Sequence, residues 1–258
     1  MRSQVDSFPQ EEQFHFEGNT YTKVCHPQSG EYSFFLNGQR IDVYEWNKVV
    51  NRYQPMSHKA THPNRLVRLI EKQRWLITRR LVHANGSAFL LDIGCESGTI
   101  ASSLVLHAGR LIFVDVDKNA LASIQKDMQH QPIFCLAANI YELPFADRTI
   151  DRILCTEVLE HLVDPRKAAR EIERVLKPGG RVVISVPNDR LILWVKKKLI
   201  QLGLRQLLGN LSPGLAMGHL HVFKQDSLKS LFSSEVNVIK CFYNFPWFTN
   251  LFFVADKK

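Results

Sequence analysis

Short apolar runs and polar, helix-like segments alternate along residues 90–188. The apolar runs cover residues 90–93, 111–115, 133–139, 150–155 and 181–187. Runs of this length, bounded by turn residues, are typical of buried parallel strands. The segments between them begin with helix-capping residues such as Asp117 and the pair Asp164-Pro165. This alternation predicts an α/β fold built on a parallel sheet.

The residues before this block follow other patterns. Within residues 1–60, aromatic residues such as Tyr21 and Phe34 alternate loosely with polar residues and glycines, which favours short strands in an N-terminal cap. Residues 65–82 carry apolar side chains at helical spacing, which predicts an amphipathic helix packed on the sheet. We therefore divide the chain into an extension over residues 1–60 and an α/β domain over residues 61–258.

An apolar insertion follows the fifth predicted strand, at about residues 188–222. It contains Trp194, many leucines and a basic cluster at residues 196–198. Because segments that leave the carboxyl ends of strands cover the ligand crevice in such folds, we interpret the insertion as a substrate lid over an apolar or lipid-like molecule. A helix resting on a membrane surface and a helix pair packed on the core are the alternatives that this pattern leaves open.

Composition and charge narrow the function classes only slightly. The formal net charge of +8 is dispersed along the chain, which suits a solvated surface, an acidic membrane surface or nucleic acid. We find no RNA-binding motif of the RNP or KH type. The five cysteines lack paired spacing and are expected to be reduced thiols in the cytoplasm, with peripheral membrane contact left open. No apolar run approaches the ~20 residues of a spanning helix, and we see no signal peptide.

The turn after the first predicted strand carries the clearest chemical signal. Asp92 ends an apolar run, and Gly94 and Gly98 then bracket a turn that leads into a helix. This arrangement presents free backbone N–H groups and a positive helix end, which bind nucleotide ligands. A dinucleotide fingerprint would need glycine where Glu96 stands, so an NAD site is disfavoured. Asp115 ends the next apolar run, where a carboxylate can accept both ribose hydroxyls.

Five motifs in order resemble those of the class I (Rossmann-like) S-adenosylmethionine-dependent methyltransferases, of the broad family that includes ubiquinone and menaquinone biosynthesis enzymes. The motifs are Asp92-Ile-Gly-Cys95, Leu143-Pro-Phe145, Glu157-Val-Leu-Glu-His161, Leu176-Lys-Pro-Gly-Gly180 and Val186-Pro-Asn188. The resemblance implies a three-layer fold with a mostly parallel seven-stranded sheet and an antiparallel last strand. It also implies S-adenosylmethionine as cofactor and a small-molecule methyl acceptor.

The same resemblance implies a set of cofactor-binding residues. The expected set is Asp92, Gly94, Cys95, Glu96, Gly98, Asp115, Val116, Asn139, Ile140 and Cys155. In this assignment the two glycines approach the methionine part and Asp115 holds the ribose. Asn139 and the Ile140 backbone meet the adenine edge, and Cys155 lines the mouth beside the methyl donor. The family usually has glycine at the position of Glu96, so the Glu96 side chain is expected to point away from the cofactor.

A base assists methyl transfer when the acceptor is a hydroxyl group. We name His161 and His221 as candidate catalytic residues, and His219 as a further candidate base. Glu157, Glu160, His161 and His221 together resemble a divalent-metal site of ubiquinone-pathway O-methyltransferases and small-RNA 2′-O-methyltransferases, where Mg²⁺ or Zn²⁺ would acidify a hydroxyl. The motif also occurs in metal-free relatives, so the metal is an alternative that we do not favour.

Two other functions stay open at this stage. Methylation of RNA or protein would fit if the basic residues converged around the mouth of the groove. A cofactor-binding interaction subunit without turnover would fit if Glu96 had altered the cofactor site. The sequence does not fix the oligomeric state.

Overall fold

The computed structural model describes residues 11–26, 32–42, 45, 46, 49, 65–204 and 218–258. Near the N-terminus a small antiparallel sheet has the strand order β1-β2-β3-β4. Its strands are β1 Glu11–Phe16, β2 Asn19–Cys25, β3 Tyr32–Leu36 and β4 Gln39–Ile41. The alternation of aromatic and polar residues places Tyr21 and Phe34 in a small apolar cluster with Trp46.

A seven-stranded sheet forms the main part of the fold. Its strands are β5 Phe89–Ile93, β6 Arg110–Asp115, β7 Ile133–Ala137, β8 Ile150–Thr156, β9 Leu176–Pro187, β10 Val236–Tyr243 and β11 Asn250–Lys257. The helices are α1 Arg65–Val82, α2 Thr99–Ser102, α3 Lys118–Asp127, α4 Pro165–Val175, α5 Asp189–Gln201 and α6 Gln225–Lys229. Short 3₁₀ turns lie at Val105–His107 and Leu159–His161.

The strand order of this sheet is β10-β11-β9-β8-β5-β6-β7. Strands β5 to β9 run parallel, whereas β11 runs antiparallel to both β9 and β10. The predicted seven-stranded, mostly parallel sheet is therefore confirmed, and its antiparallel last strand lies between β9 and β10. The chain proceeds from β5 outwards through β6 and β7 and then crosses to β8. Ligands bind outside the carboxyl ends of strands at such a switch point.

Both faces of the sheet are covered, which gives the three layers. Leu90 packs in a cluster with Val82 of α1 and Leu121 of α3. The next residue, Leu91, packs on the opposite face with Ile172 of α4. Successive side chains of a strand point to opposite faces, so a continuous apolar run is what a strand covered on both sides requires.

Some element boundaries differ from the prediction. The fifth strand is predicted over residues 181–187, whereas α4 ends at Val175 and β9 begins at once with Leu176, which pairs with Ile150. The next pair along the two strands is Arg152 with Arg181, so the glycine motif is a bulge within the β8–β9 ladder.

The small sheet packs against the segment that precedes α6. Leu220 belongs to the same buried cluster as Phe34 and Trp46, and Lys23 Nζ donates to the carbonyl oxygen of His219 over 3.3 Å. Residues 205–217 of the expected lid lie outside the described residues, as does much of the expected N-terminal extension. The division at residue 60 and the lid over 188–222 stay predictions. Within the described ranges, no helix has the length and apolar character needed to cross a bilayer.

Candidate functional site

The glycine turn after β5 adopts the backbone conformation that its sequence indicates. Gly94 has a φ of 68° and Gly98 a φ of 65°, both in the left-handed region. A Cβ atom on Gly94 would lie 2.4 Å from Val158 Cγ2, so only glycine allows the turn after β5 to approach the segment after β8 this closely. The turn is anchored to β6, because Gly94 N–H donates to Val114 O over 2.8 Å.

Glu96 lies between these glycines and is also left-handed, with a φ of 46°. This explains why glycine suits the position, since a non-glycine residue there costs roughly 1–2 kcal/mol. Its backbone N–H donates to Asp115 Oδ2 over 3.0 Å, and Asp117 N–H donates to Asp115 Oδ1 over 2.9 Å. The Asp115 carboxylate is therefore fixed at the carboxyl end of β6, directly beside the turn.

The expected adenine side of the groove lies at the ends of β6 and β7. Val116 is exposed just after β6. The third strand was predicted to reach Asn139, but β7 ends at Ala137, because Asn139 Oδ1 accepts from Tyr141 N–H and starts a turn instead. Asn139 is exposed, whereas the side chain of Ile140 is buried in the core.

Three further residues of the expected cofactor set, Asp92, Cys95 and Cys155, have buried side chains. Asp92 is almost fully buried, and burial, together with the nearby Asp115 charge, raises its pKa from 3.8 to about 8. The thiols of Cys95 and Cys155 are also buried, and burial raises the pKa of both. Cys155 packs in the core with Ile93 and Ile184, so its thiol is not exposed at the carboxyl ends of the strands.

Glu157 is turned away from the other proposed metal ligands. Its left-handed backbone, with a φ of 58°, directs the carboxylate to Asn250 Nδ2 at 3.0 Å and Arg74 Nη1 at 3.5 Å. Burial alone would lower the pKa of Arg74, but the carboxylates of Glu157 and Glu71 outweigh it and raise that pKa. Glu157 therefore links the turn after β8 to α1 and β11.

Among the described residues, one group of side chains has a metal-ligand arrangement: Glu160, His161 and His219, whose donor atoms lie within 4.8 Å of one another. His161 Nδ1 is 2.9 Å from Gly218 O, and His219 Nδ1 is 3.0 Å from Asp189 Oδ2. Carbonyl and carboxylate oxygens only accept, so each Nδ1 carries the proton and each Nε2 offers a lone pair.

The four residues that the sequence grouped as a metal site are thus not brought together. The His221 side chain is not part of the group, although the His221 N–H donates to Glu160 O over 3.2 Å, and its ring lies 5.9 Å from that of Phe223. Burial lowers the pKa of His221, partly offset by hydrogen bonds with the backbone of Leu162 and Val163. His219 takes the place that sequence reasoning gave to His221.

Sequence reasoning also missed Asp189, Arg74 and Asn250. Asp189 is the first residue of α5, after the carboxyl end of β9, and its carboxylate is buried against His219. A carboxylate that follows a buried strand is a signal that could have drawn attention to Asp189. Arg74 and Asn250 carry no such signal, because each acts through a partner that is distant in sequence.

Comparison with known proteins adds independent evidence. Residues 91–184 match the family model described as "Methyltransferase domain". A probable S-adenosylmethionine-dependent methyltransferase of Mycobacterium tuberculosis is 30% identical over 117 residues, which are 45% of this chain and 42% of that protein. The ubiquinone biosynthesis O-methyltransferase of Aeromonas salmonicida is 27% identical over 146 residues, 55% of this chain and 57% of the relative. The chain therefore spans about half the length of such curated relatives.

Solved structures share the fold. The PH0226 protein from Pyrococcus horikoshii aligns with a TM-score of 0.63 at 14% identity, over 81% of this chain and 99% of that one. The N-methyltransferase NodS from Bradyrhizobium japonicum, in complex with S-adenosyl-L-homocysteine, aligns with a TM-score of 0.58 at 18% identity, over 84% of this chain and 99% of that one.

Proposed function

We propose that this protein, whose residues 91–184 match the methyltransferase domain model, is a class I S-adenosylmethionine-dependent methyltransferase that transfers the methyl group to a small apolar acceptor. The transfer is to a hydroxyl group or a carbon atom of that acceptor. The observation that carries the proposal is the left-handed turn from Gly94 to Gly98, beside the fixed carboxylate of Asp115. The bare backbone of the turn takes the amino-acid part of the donor, and Asp115 takes the ribose hydroxyls.

Methyl transfer from S-adenosylmethionine requires mainly that the protein align the donor with the acceptor. A sulfonium methyl group is already activated, and correct placement of two reactants can contribute roughly 7–11 kcal/mol in favourable cases. A hydroxyl acceptor must also lose its proton. His219 is the imidazole best oriented for this step, because Asp189 fixes its tautomer and would stabilise the imidazolium that forms.

A titration with S-adenosylhomocysteine tests the cofactor site. We expect Asp115→Ala to weaken binding by about a hundredfold, the loss of two hydrogen bonds to a charged group. Asp127→Ala, at the far end of α3, is the matched control and should bind as the wild type does. Equal affinity of Asp115→Ala and wild type would contradict the site.

A labelled-donor experiment tests the acceptor class. Cell extract is incubated with the protein and methyl-labelled S-adenosylmethionine, and the label is then followed into organic-soluble small molecules, RNA and protein. We expect the label in the organic-soluble fraction. Label confined to RNA or protein would replace this acceptor class with a macromolecule, and absence of transfer despite cofactor binding would favour a subunit without turnover.

The residues present also fit a divalent metal, which is the second way to acidify a hydroxyl. Glu160, His161 and His219 would hold the ion through the carboxylate and the two Nε2 atoms, with Asp189 and the Gly218 carbonyl orienting the imidazoles. When bound, the ion would act as a Lewis acid on the acceptor hydroxyl.

Metal content decides between the histidine base and the metal. If the metal is required, purified protein should hold about one ion per chain, and His219→Ala should lose it while His221→Ala keeps it. Full activity in EDTA, in protein without bound metal, would leave His219 as the base.

A further inference from the structure

Large apolar side chains are exposed on α5 and on the loop that joins β10 and β11. Trp194 in α5 is 58% exposed, Leu202 just after α5 is 69% exposed and Phe245 in the loop is 74% exposed. Single exposed apolar residues are normal on a protein surface and need no explanation. These three side chains are not isolated in this way, because hydrogen bonds connect the elements that carry them.

Hydrogen bonds connect three elements at this place. The Asn188 side chain, at the N-terminal end of α5, donates to Phe248 O over 2.7 Å. Asn244 Nδ2, at the start of the same loop, donates to Gln73 Oε1 of α1 over 2.9 Å. Gln73 in turn donates to the carbonyl oxygen of Phe245. The loop is thus held between α5 and α1.

The apolar exposure continues along α1. Leu66, Leu69 and Gln73 follow the helical spacing i, i+3, i+7 and therefore share one side of α1. Leu66 is 47% exposed and Leu69 is 53% exposed. We call the exposed side of α1, α5 and the loop over residues 244–249 the rim.

The rim lies at the end of the main sheet where the carboxyl ends of the parallel strands border the cofactor groove. Asn188 directly follows β9, and its partner strand β11 begins at Asn250, which pairs with Pro187. Glu157, in the turn after β8, is bonded to the same Asn250. The rim and the groove therefore open on the same end of the sheet.

The exposed charged side chains of the rim are basic. Glu71 and Asp189 are the acidic residues of α1 and α5, and neither faces outward, because Glu71 pairs with Arg74 and Asp189 is buried against His219. The loop over residues 244–249 contains no acidic residue. The exposed charged side chains of the two helices include Arg65, Lys72, Lys197 and Lys198.

We propose that the rim docks this protein on an anionic lipid surface. Helices with exposed tryptophan and leucine among lysine and arginine, without outward acids, lie in the plane of a membrane interface and bind anionic lipids. The exposed rings of Phe245 and Phe248 add to the apolar face that such segments bury at the boundary between headgroups and acyl chains. A docked rim presents the cofactor groove to the membrane. This inference goes beyond methyl transfer, since docking requires no turnover.

Vesicle co-sedimentation tests the proposal with the full chain. Vesicles of phosphatidylcholine alone are compared with vesicles that contain about one third phosphatidylglycerol, and we expect binding to the anionic vesicles that weakens as salt rises. The double variant Lys197→Glu/Lys198→Glu should bind these vesicles at least about tenfold more weakly. The double variant Trp194→Ser/Phe245→Ser should show a loss of similar size.

Two matched controls keep the test specific to the rim. Phe134→Ser removes an exposed aromatic ring from β7, at the opposite edge of the sheet, and Lys126→Glu reverses an exposed charge on α3. Both controls should bind vesicles as the wild type does. The affinity for S-adenosylhomocysteine is measured in every variant, and an unchanged value shows that the fold and the cofactor site are intact.

The outcomes that overturn the proposal are distinct. Wild-type protein that fails to bind anionic vesicles would refute it, as would rim variants that bind as tightly as the controls. A wild-type dimer that the rim variants convert to monomers, without vesicle binding, would show that a second copy of the chain covers this face. None of these results would alter the cofactor titration, so failure of docking and failure of the proposed function are distinguishable.

Discussion

Folding raises the pKa of the Asp92 carboxyl group, which is buried at the end of β5 beside the cofactor turn. Burial comes first and the charge of Asp115 second, and together they raise the pKa of Asp92 from 3.8 to about 8. The unfolded chain ionises this group at low pH, whereas the folded protein keeps it protonated until the pH approaches 8. Protonation of Asp92 therefore contributes fully to the free energy of unfolding below about pH 4, and this contribution is lost as the pH rises through about 8.

Asp92→Asn removes this dependence while keeping the size of the side chain. Relative to wild type, we expect the free energy of unfolding of Asp92→Asn to increase steadily between about pH 5 and pH 8. Urea denaturation at several pH values measures the difference. Asp127→Asn, at an exposed position of α3, serves as control. A difference that does not change with pH would mean that Asp92 is ionised in the folded protein.

Glu96 adopts the left-handed backbone conformation of the turn, although glycine would adopt it at a lower energetic cost. Its φ of 46° lies in the left-handed region, like that of Gly94 and Gly98 on either side. The hydrogen bond from its N–H to Asp115 comes from the backbone and does not depend on the side chain. The replacement of glycine at this position therefore leaves the link between the turn and the ribose-binding acid in place.

A buried ionic contact holds helix α1 on the sheet. Arg74 Nη2 lies 2.6 Å from Glu71 and its Nη1 lies 3.5 Å from Glu157, and all three side chains are mostly buried. A buried charge that loses its partner is costly, because its desolvation is no longer offset. This contact links α1 to the turn after β8, and Asn250 extends it to β11.

Arg74→Met should lower the free energy of unfolding by about 3 kcal/mol, because it leaves the Glu157 carboxylate buried without its cation. The double variant Arg74→Met/Glu157→Gln should lose less than the sum of the two single variants, since neither charge is then left alone. Urea denaturation of the four proteins measures the coupling. Arg80→Met, at an exposed position of α1, should change stability by less than about 0.5 kcal/mol. Strictly additive losses would contradict the contact.

The two sheets of the protein meet at the segment that carries His219. Leu220 packs between them with Phe34 and Trp46, and its backbone N–H donates to Glu160 O over 2.7 Å. The small sheet therefore supports the segment that brings His219 to Glu160 and His161. The cofactor turn follows β5 and is bonded to β6 through Gly94 N–H and Val114 O, so we expect this packing to affect it little.

Phe34→Ala should loosen that support, because removal of a buried ring costs about 3–5 kcal/mol where the surroundings cannot close around the gap. We expect faster hydrogen exchange at the Leu220 amide, with unchanged affinity for S-adenosylhomocysteine. Mass spectrometry of exchanged peptides measures the first quantity and calorimetry the second. Phe134→Ala, with an exposed ring on β7, should leave both unchanged. An unaltered Leu220 amide in Phe34→Ala would show that the small sheet does not hold this segment.

Local patterns were enough to predict the strands, the glycine turn and the acid at the end of β6. The apolar run at Leu90 and Leu91 predicts a strand covered on both faces, and Gly94 and Gly98 predict a left-handed turn, because these properties depend on neighbouring residues. The order of the motifs then indicated a parallel sheet and the nucleotide edge of that sheet.

The partners of the polar side chains depended on contacts between distant segments. His219 rather than His221 meets His161, because Asp189 binds its ring and the segment is held by Glu160 O. Glu157 turns towards Asn250 and Arg74 because α1 and β11 meet there. Spacing along a chain specifies which residues share a face of one element, whereas the packing of elements decides which of them meet.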